Sequence, residues 1–157
     1  EMDAPGHLER LDLGDWQRSL ERNLTTAFLV TRAFLLGMKA RGYGRIVNIT
    51  SEVFHRSAAP FSAYVAAKGA QIGWSRSMAR ELAPFGITVN TVAPGWIPVE
   101  RHEHDPQAEK DAYLAEIPMQ RWGAPKEVGD AVLYFASDEA AFVSGQTICV
   151  NGALTPW

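Results

Sequence analysis

Tyr64 and Lys68 lie four positions apart in Tyr64-Val65-Ala66-Ala67-Lys68, at the start of an apolar stretch rich in small residues. Four residues make about one helical turn, so both side chains share a face and can interact. An ammonium beside a phenol stabilises the phenolate and pulls the tyrosine below its usual pKa of about 10. That makes a tyrosine usable as a proton donor near neutral pH. Any surface helix can carry this pair. It gains weight from Ser51, thirteen residues earlier, from Asn23 further upstream, and from the Pro94-Gly95 turn downstream.

The surrounding pattern places these residues on an α/β scaffold. Asp12-Leu13-Gly14-Asp15 has the form of a capping box. It opens an expected helix over Leu13 to Arg41, with Trp16, Leu20, Leu24, Ala27, Phe28, Leu29, Phe34, Leu35 and Met38 at three- and four-residue steps. Asn23 falls inside that helix. Arg45-Ile46-Val47-Asn48-Ile49-Thr50 is β-branched on both faces and suits a parallel strand covered on both sides. Ser51 stands at its carboxyl end, where open α/β sheets bind ligands. Residues 52–60 read as a loop. A second helix is expected over Ser62 to Leu82, carrying Ala63, Ala66, Ala67, Gly69, Ala70 and Gly73. A strand over Ile87–Ala93 follows and is broken sharply at Pro94-Gly95. Residues 98–122 are polar and read as a mobile substrate loop with a short helix over Pro106–Glu116. A helix over Pro125–Ser137 and a strand over Gln146–Val150 complete a parallel sheet with helices on both faces.

The totals narrow the function classes. The 157 residues fit one domain. Net charge is −3 with no basic stripe, so nucleic acid is not an expected partner. No apolar run reaches the roughly 18 residues a membrane span needs. The acidic start, Glu1-Met2-Asp3-Ala4-Pro5-Gly6, lacks the apolar core of a signal peptide. The single Cys149 cannot form an internal disulfide and reads as a small buried apolar residue in a strand, and a cytoplasmic setting is expected. His102-Glu103-His104-Asp105 carries metal-ligand types, but no further pair is spaced for zinc, and a solvated loop is the expectation. His55 reads as a surface histidine. The five tryptophans, Trp157 included, are expected in packing or assembly.

Asn23-Leu24-Thr25, Gly44-Arg45-Ile46-Val47-Asn48-Ile49-Thr50-Ser51, Tyr64-Val65-Ala66-Ala67-Lys68, Gly86-Ile87-Thr88-Val89-Asn90, Ala93-Pro94-Gly95-Trp96-Ile97 and Val143-Ser144-Gly145-Gln146 occur in this order. Together they resemble the C-terminal part of a short-chain dehydrogenase/reductase of the 3-oxoacyl-carrier-protein-reductase type. The resemblance implies a single partial Rossmann-type domain over 1–157, the C-terminal portion of a doubly wound parallel sheet. It implies NAD or NADP as cofactor, a small carbonyl or alcohol substrate, and a homodimer or homotetramer built on the two long helices.

It also implies roles. Tyr64 exchanges the proton with the substrate oxygen, and Ser51 hydrogen-bonds that oxygen. Lys68 lowers the Tyr64 pKa and holds the nicotinamide ribose. Asn23 positions a water that links Lys68 to solvent. Pro94, Gly95 and the backbone of Ile97 face the nicotinamide amide. Two departures stand out. No glycine-rich phosphate turn follows a strand; the part that would carry it spans on the order of 90 residues at about 30 per βαβ unit. Val99 stands where the family usually has a threonine. Two competing readings follow: a non-catalytic assembly or binding module, and a cofactor-free lyase or isomerase using Tyr64 and Ser51 as acid.

Overall fold

Among the described residues three parallel strands form the central sheet. β1 (Gly44–Ile49), β2 (Ile87–Pro94) and β3 (Thr147–Val150) lie in the order β1-β2-β3. The register pairs Gly44 with Ile87 and Ile49 with Val92, then Thr91 with Thr147 and Pro94 with Val150. The computed structural model describes residues 6–156. Residues 1–5, part of the stretch 1–11 that shows no clear period and reads as a connector, and Trp157 with its expected packing role, lie outside the described residues.

Both faces of the sheet are covered, as the unbroken apolar pattern of the strands requires. On one face Ile46, Ile87 and Val89 pack against Met78, Ala79 and Leu82 of α4 (Ser62–Leu82), with Leu35 and Met38 of α2 (Thr26–Arg41) at the side. On the other, Val92 packs with Val47, Ile148 and Val150 against Phe135 and Val132 of α6 (Pro125–Ala136). Pro125 occupies the first turn of α6, where a missing N–H costs nothing.

The expected unbroken helix over Leu13–Arg41 is interrupted. α1 (Leu13–Leu20) and α2 are joined by a π-helical turn over Glu21–Thr25, with Asn23 at its centre. Asn23 Nδ2 donates to the Ser19 carbonyl at 3.0 Å. In an α-helix that carbonyl would accept the backbone N–H of Asn23. The side chain competes for it, and the ladder widens. The α1 start follows expectation, with Asp12 accepting the Asp15 N–H at 2.7 Å. The apolar positions of α2 divide: Leu35 and Met38 reach the core, while Leu29, Val30, Phe34 and Leu36 are each more than half exposed.

Two further expectations change. The loop over 52–60 contains a short helix, α3 (Val53–Arg56), and His55 is half-buried, edge-on to Phe54 at 5.3 Å between centroids. Gly69 of α4 faces Phe54, whose ring leaves no room for a side chain there. The polar segment 98–122 contains the expected short helix as α5 (Gln107–Glu116), with Tyr113 and Ile117 buried, and adds a 3₁₀ turn at Glu100–His102. Among the described residues no helix is long and apolar enough to cross a membrane, and no group of three His, Cys, Asp or Glu is placed to hold a metal ion.

Candidate active site

The carboxyl ends of β1 and β2 are stitched together beyond the last regular pair. Thr50 N donates to Val92 O at 2.8 Å and Glu52 N to Pro94 O at 3.0 Å. Ser51 sits between these two anchored residues, partly exposed, its Oγ accepting the Val53 N–H at 3.3 Å. The strand end and the short α3 helix therefore hold the hydroxyl at the rim of the sheet.

Tyr64 and Lys68 fall one turn apart near the start of α4, as the spacing predicts. The Lys68 ammonium lies 5.5 Å from the centroid of the Tyr64 ring and donates to Ile49 O at 3.0 Å. Lys68 is only 9% exposed. A buried ammonium needs hydrogen-bond partners, and the last carbonyl of β1 is one of them. This bond brings the base of the Tyr64–Lys68 pair to the chain two residues before Ser51. The π turn that carries Asn23 packs on α4.

The Pro94-Gly95 turn has its own fastening. Gly95 N donates to Val150 O at 3.0 Å, and Trp96 N donates to the Tyr113 hydroxyl at 2.7 Å. Gly95 is required by packing: a Cβ there would stand 2.7 Å from Tyr113 Oη and 2.9 Å from Asn151 Cβ. Two of the turn's amides are thus engaged inside the protein. Ile97, the next residue, is hydrogen-bonded through its backbone to His102. Val99 N donates to His102 Nδ1 at 3.2 Å, so the expected solvated histidine instead closes the segment after the turn.

Reading residue types did not single out Glu52, Tyr113 or Asn151, which form a buried polar cluster behind this turn. The Tyr113 hydroxyl donates to Glu52 Oε1, and Asn151 Nδ2 donates to Glu52 Oε2 at 3.1 Å. Arg56 stands 3.7 Å from the same carboxylate. The available signal was a carboxylate three residues beyond the end of β1. Burial raises the Glu52 carboxyl above its ordinary 4.5, against the lowering effect of its hydrogen bonds and of Arg56. A carboxyl raised on folding lends its full stability below its ordinary value and loses it as pH rises through the raised one. We therefore expect wild-type melting temperature, relative to Glu52→Gln, to be highest in acid and to decline as pH climbs above about 4.5. Parallel melting profiles for the two proteins across that range would show that Glu52 does not titrate differently on folding.

A cavity of about 270 Å³ opens beneath the turn, lined by Trp96, Ile97, Tyr113, Met119 and Cys149 among others. Ser51, Tyr64 and Lys68 do not line it. Cys149 is half-buried there rather than enclosed, and burial pushes its thiol up.

The comparisons agree with this fold. A family model described as enoyl-(acyl carrier protein) reductase matches residues 2–155. The 3-oxoacyl-[acyl-carrier-protein] reductase of Vibrio cholerae is 42% identical over 147 residues, covering 94% of this chain and 60% of that protein. Nodulation protein G of a Rhizobium species is 45% identical over 149 residues, covering 95% and 61%. A gluconate 5-dehydrogenase of Burkholderia cenocepacia, solved with NADP and tartrate, superposes with a TM-score of 0.90 at 34% identity, covering 98% of this chain and 61% of that one. The chain thus spans about 60% of the length of the curated relatives it matches. With a family match over nearly its whole length and the expected strand ends, helix and turn in place, the chain belongs to the short-chain dehydrogenase/reductase family and is 3-oxoacyl-reductase-like.

Proposed function

We propose that this chain is the catalytic portion of an NAD(P)(H)-dependent oxidoreductase that interconverts a carbonyl and an alcohol. The observation that carries the reading is the Lys68 ammonium, buried beside the Tyr64 ring and bonded to the end of β1 two residues before Ser51. Tyr64 Oη gives its proton to the carbonyl oxygen in reduction and takes it back in oxidation. Ser51 Oγ donates to the same oxygen and stabilises the charge that develops on it. Lys68 stabilises the Tyr64 phenolate. With Asn23 Nδ2 committed to Ser19, its Oδ1 is the atom that would hold a relay water.

The donor set fits the nicotinamide end of a dinucleotide. Lys68 and Tyr64 would hold ribose hydroxyls and the Ile97 backbone the carboxamide, while Pro94 and Gly95 shape the turn. When bound, the dinucleotide supplies or accepts the hydride. Its pyrophosphate and adenosine find no glycine-rich turn in this sequence. We therefore read the chain as the C-terminal portion of a doubly wound sheet whose nucleotide-binding half lies outside these residues. The length of the relatives supports this, as does β1, which pairs only with β2 among the described residues. Exposed Phe34 and Val30 on α2, and the outward Ala70 and Gly73 on α4, support a homodimer or homotetramer. The single half-buried thiol and the acidic balance support a cytoplasmic setting.

The relatives' names suggest the substrates for the test: a 3-oxoacyl thioester and a keto sugar acid. The full-length protein, given NADH or NADPH, is expected to oxidise the dinucleotide only when a carbonyl compound is present, followed by absorbance. Folded protein that turns over neither dinucleotide with either substrate class would overturn the proposal. Turnover of a substrate without dinucleotide would redirect it to lyase or isomerase chemistry.

A further inference from the structure

Three chain segments meet at one hydroxyl, and a fourth joins them through Glu52. Tyr113 Oη, on α5, accepts the Trp96 N–H at 2.7 Å and donates its own proton to Glu52 Oε1. Glu52 follows Ser51, and its N–H is bonded to Pro94 O at 3.0 Å. Its second oxygen takes Asn151 Nδ2 at 3.1 Å, and Asn151 follows β3. Glu52 is 3% exposed, Asn151 8% and Tyr113 9%, so each group depends on the others for its hydrogen bonds. The Tyr113 ring is held as well, stacked on Trp122 at 5.6 Å and edge-on to Trp96 at 5.4 Å.

A hydroxyl has a single proton. Once Glu52 takes it, only the oxygen lone pairs of Tyr113 face Trp96, which is the geometry an amide donor needs. The carboxylate therefore orients the hydroxyl, and the hydroxyl orients the turn. Gly95 has no side chain because this contact comes too close for one. Resting on the function proposed above, we propose that Tyr113, oriented by Glu52, is a positioning residue that holds the Pro94–Ile97 turn in register with Ser51 and so places the Ile97 backbone toward the dinucleotide. The polar segment 98–122 then does more than shape a substrate pocket. Through α5 it latches the cofactor-facing turn.

Tyr113→Phe in the full-length protein keeps the ring and removes only the latch. Losing one buried hydrogen bond is expected to speed exchange of the Trp96 amide about ten-fold. Exchange of Gly95, whose partner is Val150 O, should stay unchanged. Dinucleotide binding, read by tryptophan fluorescence, is expected to weaken by about the same factor, with KM for the dinucleotide raised more than kcat is lowered. If either Trp96 exchange or dinucleotide affinity is unaltered in the folded variant, the proposal is overturned. Should Tyr113→Phe not fold, Glu52→Ala and Glu52→Gln decide it. The alanine variant should lose Trp96 protection and the glutamine variant should restore it, and equal exchange in both overturns the latch. A wild-type protein that binds no dinucleotide overturns the proposed function instead, and Trp96 exchange then still decides whether Tyr113 holds the turn.

Discussion

Tyr64→Phe is expected to lower turnover of the full-length protein by about 10²–10⁴-fold, the usual worth of a positioned general acid or base. The substitution removes one oxygen and leaves the ring that Lys68 approaches. Tyr64 is half-buried near the start of α4, and the helix is held by residues further along, including Ala67, Ile72, Met78 and Leu82. Folding stability should therefore change by less than about 1 kcal/mol. The paired measurement is kcat with the dinucleotide that supports turnover, alongside a thermal melt. A variant that turns over at the wild-type rate would remove Tyr64 from the chemistry, and with it the reason to place Lys68 and Ser51 there.

Gly86→Ala is expected to cause the largest loss of stability. Gly86 follows the 3₁₀ turn Ala83–Phe85 that ends α4, and its φ is +68°, a region that suits glycine. A Cβ there would also overlap the carbonyl oxygen of Gly42, which ends α2 with a φ of +64°. The two helix ends pass each other backbone to backbone, one entering β1 and the other β2. Strain at φ and displacement of backbone add, for an expected loss of about 2–4 kcal/mol. At about 2–4 °C per kcal/mol for a chain of this size, the melting temperature should fall visibly. An unchanged melt would mean that the two turns separate freely. Gly73→Ala is the matching control, since a Cβ there meets nothing within 4 Å.

Local pattern carried most of the scaffold. The α4 boundaries Ser62 and Leu82, the three strands and α6 appear within a residue or so of where periodicity places them. Their signals are local: β-branched runs, three-to-four spacing, and proline or glycine at the ends. The π turn was not legible, because an asparagine inside an apolar repeat does not announce that its side chain will take the Ser19 carbonyl from its own backbone. α3 was hidden by its length of four residues. Which apolar residues of α2 are buried was not legible, because periodicity reports a face, whereas burial requires a neighbour to cover it.

The amino-acid order alone determined the alternation of helices and strands and the pairing of a phenol with an ammonium one turn away, because both rest on interactions a few residues long. Only the tertiary structure decided that Glu52, Tyr113 and Asn151 meet behind the Pro94-Gly95 turn, and that Gly95 owes its identity to them. Those residues lie 61 and 99 positions from Glu52. No local propensity spans that distance, and their meeting follows from how the packed helices and the carboxyl ends of three strands close on one another.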